Sequence, residues 1–238
     1  MGNPKTPPDE RDRALLALFR SIASGDDLHV ATTLGAAPQL AVAPIRVGAS
    51  RQDPDTYFLT DIRHHVYAGD TALHVAAAAH QEGIVRTLLA RGADPRARNR
   101  RGAEPLHHAA DGSARAAEQR NLIVALIDAG ADPNALDRSG VAPLHRAVRT
   151  RASAAVRALI DGGADPLLAN KSGSTPLHLA VQTTGASGSG STEAREEQAR
   201  IIAVLLGHGA QPGDVDAKGT SVAEAATSAW VRDLLGIS

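Results

Sequence analysis

The stretch EPLHHAAD, residues 104–111, holds two adjacent histidines and a carboxylate three residues after the second. His108 and Asp111 stand at i and i+3, a spacing that shares one helix face. A histidine oriented by a carboxylate is half of a general-base arrangement, which also needs a nucleophile. The candidate hydroxyls are Thr150, Ser113 and Ser139, none of them in a recognisable nucleophile turn. A metal reading gathers His64 and His65 with Asp61, Asp70 or His74, but neighbours on a strand point to opposite faces. Cations form the other chemically pointed set. RGADPRARNRRG carries Arg96, Arg98, Arg100 and Arg101, and the chain continues to Arg138, Arg146, Arg149 and Lys171. Guanidinium groups bind carboxylates and phosphates through paired hydrogen bonds.

Bulk composition narrows these options. Lys plus Arg number 25 and Asp plus Glu 26, so no overall charge argues for nucleic acid. The basic stretch also lacks interleaved aromatics, and no nucleic-acid partner is expected. There is no cysteine, which removes disulfides, thiolate catalysis and cysteine zinc sites. The N-terminal residues are polar and proline-rich without an apolar core, so no signal peptide is read there. No apolar run reaches 18 residues, so no membrane is expected and the chain is placed in the cytoplasm. A Gly2/Thr6 myristoylation pattern is short enough to match by chance. The chain is 43% hydrophobic with one Trp, two Tyr and two Phe, so alanine and leucine must fill the core. Small side chains suit thin helices packed closely.

What positions the candidate residues is a repeat. GDTALHVAA from Gly69, GAEPLHHAA from Gly102, GVAPLHRAV from Gly140 and GSTPLHLAV from Gly173 align. GADP recurs at Gly92, Gly130 and Gly163, and GAQP stands at Gly209. Between the signatures the apolar period is helical. Ile84, Val85, Leu88 and Leu89 reappear as Leu122, Ile123, Leu126 and Ile127, then as Ala155, Val156, Leu159 and Ile160. Glycine follows each of these helices, where a left-handed cap is wanted. Proline stands in the first turn of the short helix in three repeats, where it costs no hydrogen bond.

The two signatures in register resemble the ankyrin repeat: a turn, TPLHxAA on a short first helix, then a second helix ending in GAD. The resemblance covers about residues 69–238. It implies an all-α solenoid of stacked helix-turn-helix pairs with projecting finger turns, a module that binds macromolecules rather than one that catalyses. It also implies that His74, His107, His145 and His178 order the turns through backbone and the threonine three residues earlier. Glu104 and Ala142 break that threonine pattern, so His145 needs another partner and Glu104 is a candidate partner for His107.

Around the repeats, residues 1–9 read as a flexible tail and 10–41 as a degenerate capping repeat turning at Gly25. Residues 42–68 form an irregular insert, loop-like at first and then a short strand or extended finger, carrying Tyr57, Phe58 and Tyr67. At the C-terminal cap, Trp230 is expected to seal the last core layer. A second insertion, 183–197, has the composition of a mobile linker. An anion cradle ahead of the helix containing Arg200 is the weaker reading of it.

In the resembling fold the first helix of each repeat lines a concave groove. That groove reads Val75/Ala78, His108/Asp111, Arg146/Arg149 and Leu179/Gln182, with Arg101 and Arg138 on neighbouring fingers. HVYAGDTALHVAAA, RNRRGAEPLHHAADG, SGVAPLHRAVRTR and the Gly/Ser insertion together are similar to stand-alone bacterial ankyrin proteins. On that resemblance His65, Tyr67, Asp70, Asp111, Arg146 and Arg149 form one site where finger meets groove. The expectation is a protein-interaction module more than an enzyme, with the enzymatic reading left open, that needs no cofactor and binds an acidic segment of a protein partner. The alternative is a small anionic ligand, or hydrolase-type chemistry, at His108, Asp111, Arg146 and Arg149. An Asp111–Arg146 or Asp111–Arg149 surface pair is the plain structural reading of the same residues.

Overall fold

The computed structural model describes residues 8–51, 53–112, 116–182 and 191–237. The chain forms two compact units. One holds the described residues up to Ala109 together with Ala125–Asp132. The other holds Ala110–Val124 and the described residues from Pro133 onward. Both are built from short helices, as the repeat pattern predicts.

The first unit opens with α1 (Glu10–Ser24), whose first turn is capped by the Asp9 carboxylate accepting from Asp12 N–H. Its apolar face buries Leu15, Leu18, Phe19 and Ile22, and Gly25 ends it in the left-handed conformation. Helix α2 (Asp27–Ala36) follows and buries Val30 and Leu34. The insert is more ordered than its composition suggests. Strands β1 (Phe58–Leu59) and β2 (His64–His65) pair antiparallel, with Arg63 turning in the left-handed region. Ile45, Ala49, Tyr57, Leu59 and Val66 are buried within it. Backbone bonds Ile45 N–H to Asp70 O and Ala49 N–H to Val66 O close its base. The buried Asp12 carboxylate accepts from the N–H groups of Arg46 and Val47, which fastens the insert to α1. Helices α3 (Ala72–Ala78), α4 (Glu82–Ala90) and α5 (Pro105–Ala109) complete the unit's repeats.

Helix α6 (Ala116–Asp128) contributes residues to both units. The second unit continues with α7 (Pro143–Arg149), α8 (Ser153–Asp161), α9 (Pro176–Ala180) and α10 (Thr192–Gly207). Prolines 105, 143 and 176 begin α5, α7 and α9, as expected of first-turn proline. The C-terminal cap is α11 (Val222–Ala225) and α12 (Ala229–Leu234). Its core is filled by Val222, Val231 and Leu235, whereas Trp230 is only half-buried. The expectation for Trp230 is thereby corrected. The slender Val231 points inward, and the indole packs at the edge beneath Arg195, whose guanidinium lies 5.9 Å from its ring. Of the second insertion, residues 192–197 form the first turns of α10 and residues 183–190 lie outside the described set. The linker and anion-cradle readings therefore fall on residues that are not described.

Candidate functional site

The repeated histidines form a ladder. Thr71 N–H donates to His74 Nδ1 at 3.2 Å, the Thr71 hydroxyl lies 3.0 Å from the same atom, and His74 Nε2 meets the Ala103 carbonyl at 3.1 Å. A ring nitrogen that accepts an amide proton carries none, so the proton resides on Nε2. His178 repeats the arrangement with Thr175 and the Thr220 carbonyl. His145, lacking the threonine, takes the Ala142 N–H at 3.2 Å and reaches the Ser174 carbonyl. For His107 the partner is the backbone N–H of Glu104. The Glu104 carboxylate turns instead to Arg98 at 3.0 Å, and its second oxygen is buried without a hydrogen bond among the described residues. Burial lowers the basicity of His74 against the pull of Asp70, and that of His145 against the Ser174 carbonyl. The imidazoles of the ladder are struts that tie each turn to the next, and burial keeps those of His74 and His145 neutral.

A second ladder runs through the fingers and was not read from the sequence. Asn99, Asp137, Asn170 and Asp216 each stand three residues before a left-handed glycine. Each side-chain oxygen accepts two backbone N–H groups across the turn: Arg101 and Ala103, Ser139 and Val141, Ser172 and Ser174, Lys218 and Thr220. An Asn or Asp at this fixed offset from each repeat glycine is the signal that could have revealed it.

The two ladders and the helical repeats they brace have a match in known families. The model for ankyrin repeats in many copies matches residues 126–180, and the single ankyrin-repeat model matches 68–100 and 101–138. The chain is an ankyrin-repeat protein. No curated protein matches it. Ankyrin repeats generally mediate protein–protein interaction, so this ankyrin chain is expected to have a protein partner. Among the described residues, no helix is long and apolar enough to cross a membrane.

The candidate residues of the ankyrin surface divide between the units. In the first unit stand His65, Tyr67, Asp70, Arg101 and His108. Asp70 is fully buried and its carboxylate is engaged internally, accepting from Tyr67 N–H at 2.6 Å and from Asn99 Nδ2 at 2.8 Å. Gly69, at φ 88, permits the contact, since a Cβ there would lie 2.8 Å from the Asn99 Cα. Tyr67 presents its ring to two guanidiniums, with Arg100 and Arg101 carbons 5.2 and 5.0 Å from the centroid. Its hydroxyl accepts from Arg101 at 2.9 Å. His65 packs tilted against Phe58 with ring centroids 4.7 Å apart, while His108, buried, meets the rings of His64 at 4.9 Å and His74 at 5.7 Å.

In the second unit stand Asp111, Arg138, Arg146, Arg149 and Gln182. The Arg146 guanidinium lies between two carboxylates, 3.0 Å from Asp137 and 3.4 Å from Asp111. Asp137 is the closely held partner, its side chain 7% exposed against 39% for Asp111. Burial opposes ionisation of Asp137. Hydrogen bonds from Val141, Arg146 and Ser139 outweigh it and hold the carboxyl below its ordinary range. Arg138, Arg149 and Gln182 are exposed. The Thr150 hydroxyl, a candidate nucleophile, donates to the carbonyls of Arg146 and Ala147, and Ser113 lies outside the described residues. Among the described residues no group of three His, Asp or Glu side chains is placed to hold a metal ion.

Proposed function

We propose that this ankyrin protein binds an acidic segment of a protein partner, with the finger at residues 96–101 supplying the first unit's contacts. The observation that carries the reading is how its four exposed arginines are held. Arg96 donates to the Gly130 carbonyl, Arg100 to the Ala49 carbonyl and Arg101 to the Tyr67 hydroxyl, all neutral acceptors. Only Arg98 meets a carboxylate, that of Glu104. A guanidinium fixed by a neutral acceptor keeps its charge and its remaining N–H groups. Some of the side-chain entropy that binding would cost has already been spent. In the second unit Arg138, Arg149 and Lys171 are exposed cations, and Lys171 donates to the Arg138 carbonyl.

The test is calorimetric titration with a glutamate-rich decapeptide and its glutamine counterpart at several salt concentrations. Binding should require the charges and weaken steeply with salt. Arg96→Glu/Arg101→Glu should reduce affinity at least tenfold while leaving the helical circular dichroism intact. Equal binding of the glutamine peptide would sink the reading.

A further inference from the structure

The second unit contains a small cavity of about 60 Å³ where α7, α9 and α10 meet. Its lining combines the apolar Val148, Leu179 and Ile201 with the polar Arg149, Arg151 and Gln198. Gln198 is 3% exposed, and its amide donates to the Ala180 carbonyl at 2.6 Å and the Gln182 carbonyl at 3.3 Å. This pins its side chain in place as part of the wall. Neither Arg149 nor Arg151 has a side-chain hydrogen bond or ion pair among the described residues. The adjacent Glu197 does not neutralise them, since it is engaged by Ser153 N–H and by Arg200.

Arg151 has a further peculiarity. Its φ is +58, in the left-handed region that favours glycine, and His80, at φ 52, occupies the corresponding place after α3. The chain keeps an arginine where glycine would sit without strain, and that arginine lines the cavity. The volume suits about four water-sized groups, the heavy-atom count of a carboxylate with one methylene. Two unpaired cations among apolar side chains fit a carboxylate on a short aliphatic stem.

We propose that this cavity is a subsite for a glutamate side chain of the bound partner. Arg149 and Arg151 grip the carboxylate, and Val148, Leu179 and Ile201 contact the methylenes. The proposal rests on the reading of the chain as a binder of acidic segments, and it assigns one acidic side chain a place.

The experiment follows the Gln198 side-chain amide and the Arg151 Nε–H by NMR while the full chain is titrated with three probes. These are acetyl-Ala-Glu-Ala-amide, its glutamine counterpart and sodium propionate. The glutamate peptide should shift both signals saturably, at least tenfold more tightly than the glutamine peptide. Arg151→Gly should abolish this and melt no lower than wild type, because glycine accepts φ +58 freely. Absence of saturable shifts, or shifts unchanged in Arg151→Gly, would overturn the subsite. Propionate binding as tightly as the glutamate peptide would overturn the partner assignment in favour of a free carboxylic acid. The decapeptide titration separates the two proposals. If it depends on Arg96 and Arg101 but not on Arg151, the interaction stands and the subsite falls. If propionate and the glutamate peptide bind here while the decapeptide does not bind, the interaction reading falls.

Discussion

The finger at Asn99 and the finger at Asp137 are built alike and do opposite things with charge. In both, one side-chain oxygen accepts two backbone N–H groups and a left-handed glycine follows three residues later. The difference lies in the remaining side-chain atom. Asn99 has a donor left, which it gives to the buried Asp70, and the arginines after it stay exposed. Asp137 has an acceptor left, which it gives to Arg146. One nitrogen exchanged for one oxygen decides whether a finger satisfies a buried acid or quenches a cation. Counting basic residues along the chain cannot detect this, and Arg146 and Arg101 look equivalent until their partners are seen.

Exchanging the two side chains should break the comparison most strongly. Asn99→Asp places a carboxylate against Asp70, with both residues almost wholly buried. Two buried acids without an intervening donor should cost about 3–5 kcal/mol, read from urea unfolding. A cost under about 1 kcal/mol would show that the Asn99–Asp70 bond contributes little. The reciprocal Asp137→Asn keeps the turn but removes the charge facing Arg146, with Asp111 still present, and should cost about 1–3 kcal/mol.

It should also change the acid dependence. The folded Asp137 carboxyl lies below its ordinary value, so as pH falls the unfolded chain takes up the proton first. Its stabilisation is therefore full above the ordinary carboxylate range and lost as pH falls through the folded value. The asparagine variant should lose that limb of the stability–pH curve. A gentler decline below about pH 6.5 should survive the substitution, because His74 and His145 are held neutral in the folded state and the unfolded histidines protonate first.

Ala142→Thr supplies the hydroxyl that Thr71 and Thr175 place beside their histidines. It should stabilise by about 0.5–1 kcal/mol in thermal unfolding. A destabilisation would mean the Ala142 site is too tight for the hydroxyl and the missing threonine is a packing choice. The smallest change in stability is expected from Arg101→Ala, within about 0.5 kcal/mol, although affinity for the glutamate decapeptide should fall severalfold. A large loss of stability would make Arg101 a strut for Tyr67 rather than a contact.

The repeats, the histidine struts and the first-turn prolines were legible because each rests on local periodicity repeated in register, from Leu73 to Leu177 and from His74 to His178. The site was legible only as a set of residue types. Asp70 and Tyr67 were both proposed as surface contacts, yet Asp70 is fully buried and Tyr67 lies under two arginines. Trp230 looked like core by size, and Val231 took the place.

The sequence by itself determined the ankyrin architecture, since helix period, caps and turns depend on residues within a few positions of one another. It also placed four arginines within residues 96–101. Only the tertiary structure decided which of those cations remain unneutralised, because that depends on acceptors 34 residues away for Arg96 and Arg101 and 51 away for Arg100. No local pattern encodes those pairings. They arise when one finger packs beside the insert or the next turn, and the same packing selects Asp137 for Arg146 and leaves Arg149 and Arg151 unpaired beside their cavity.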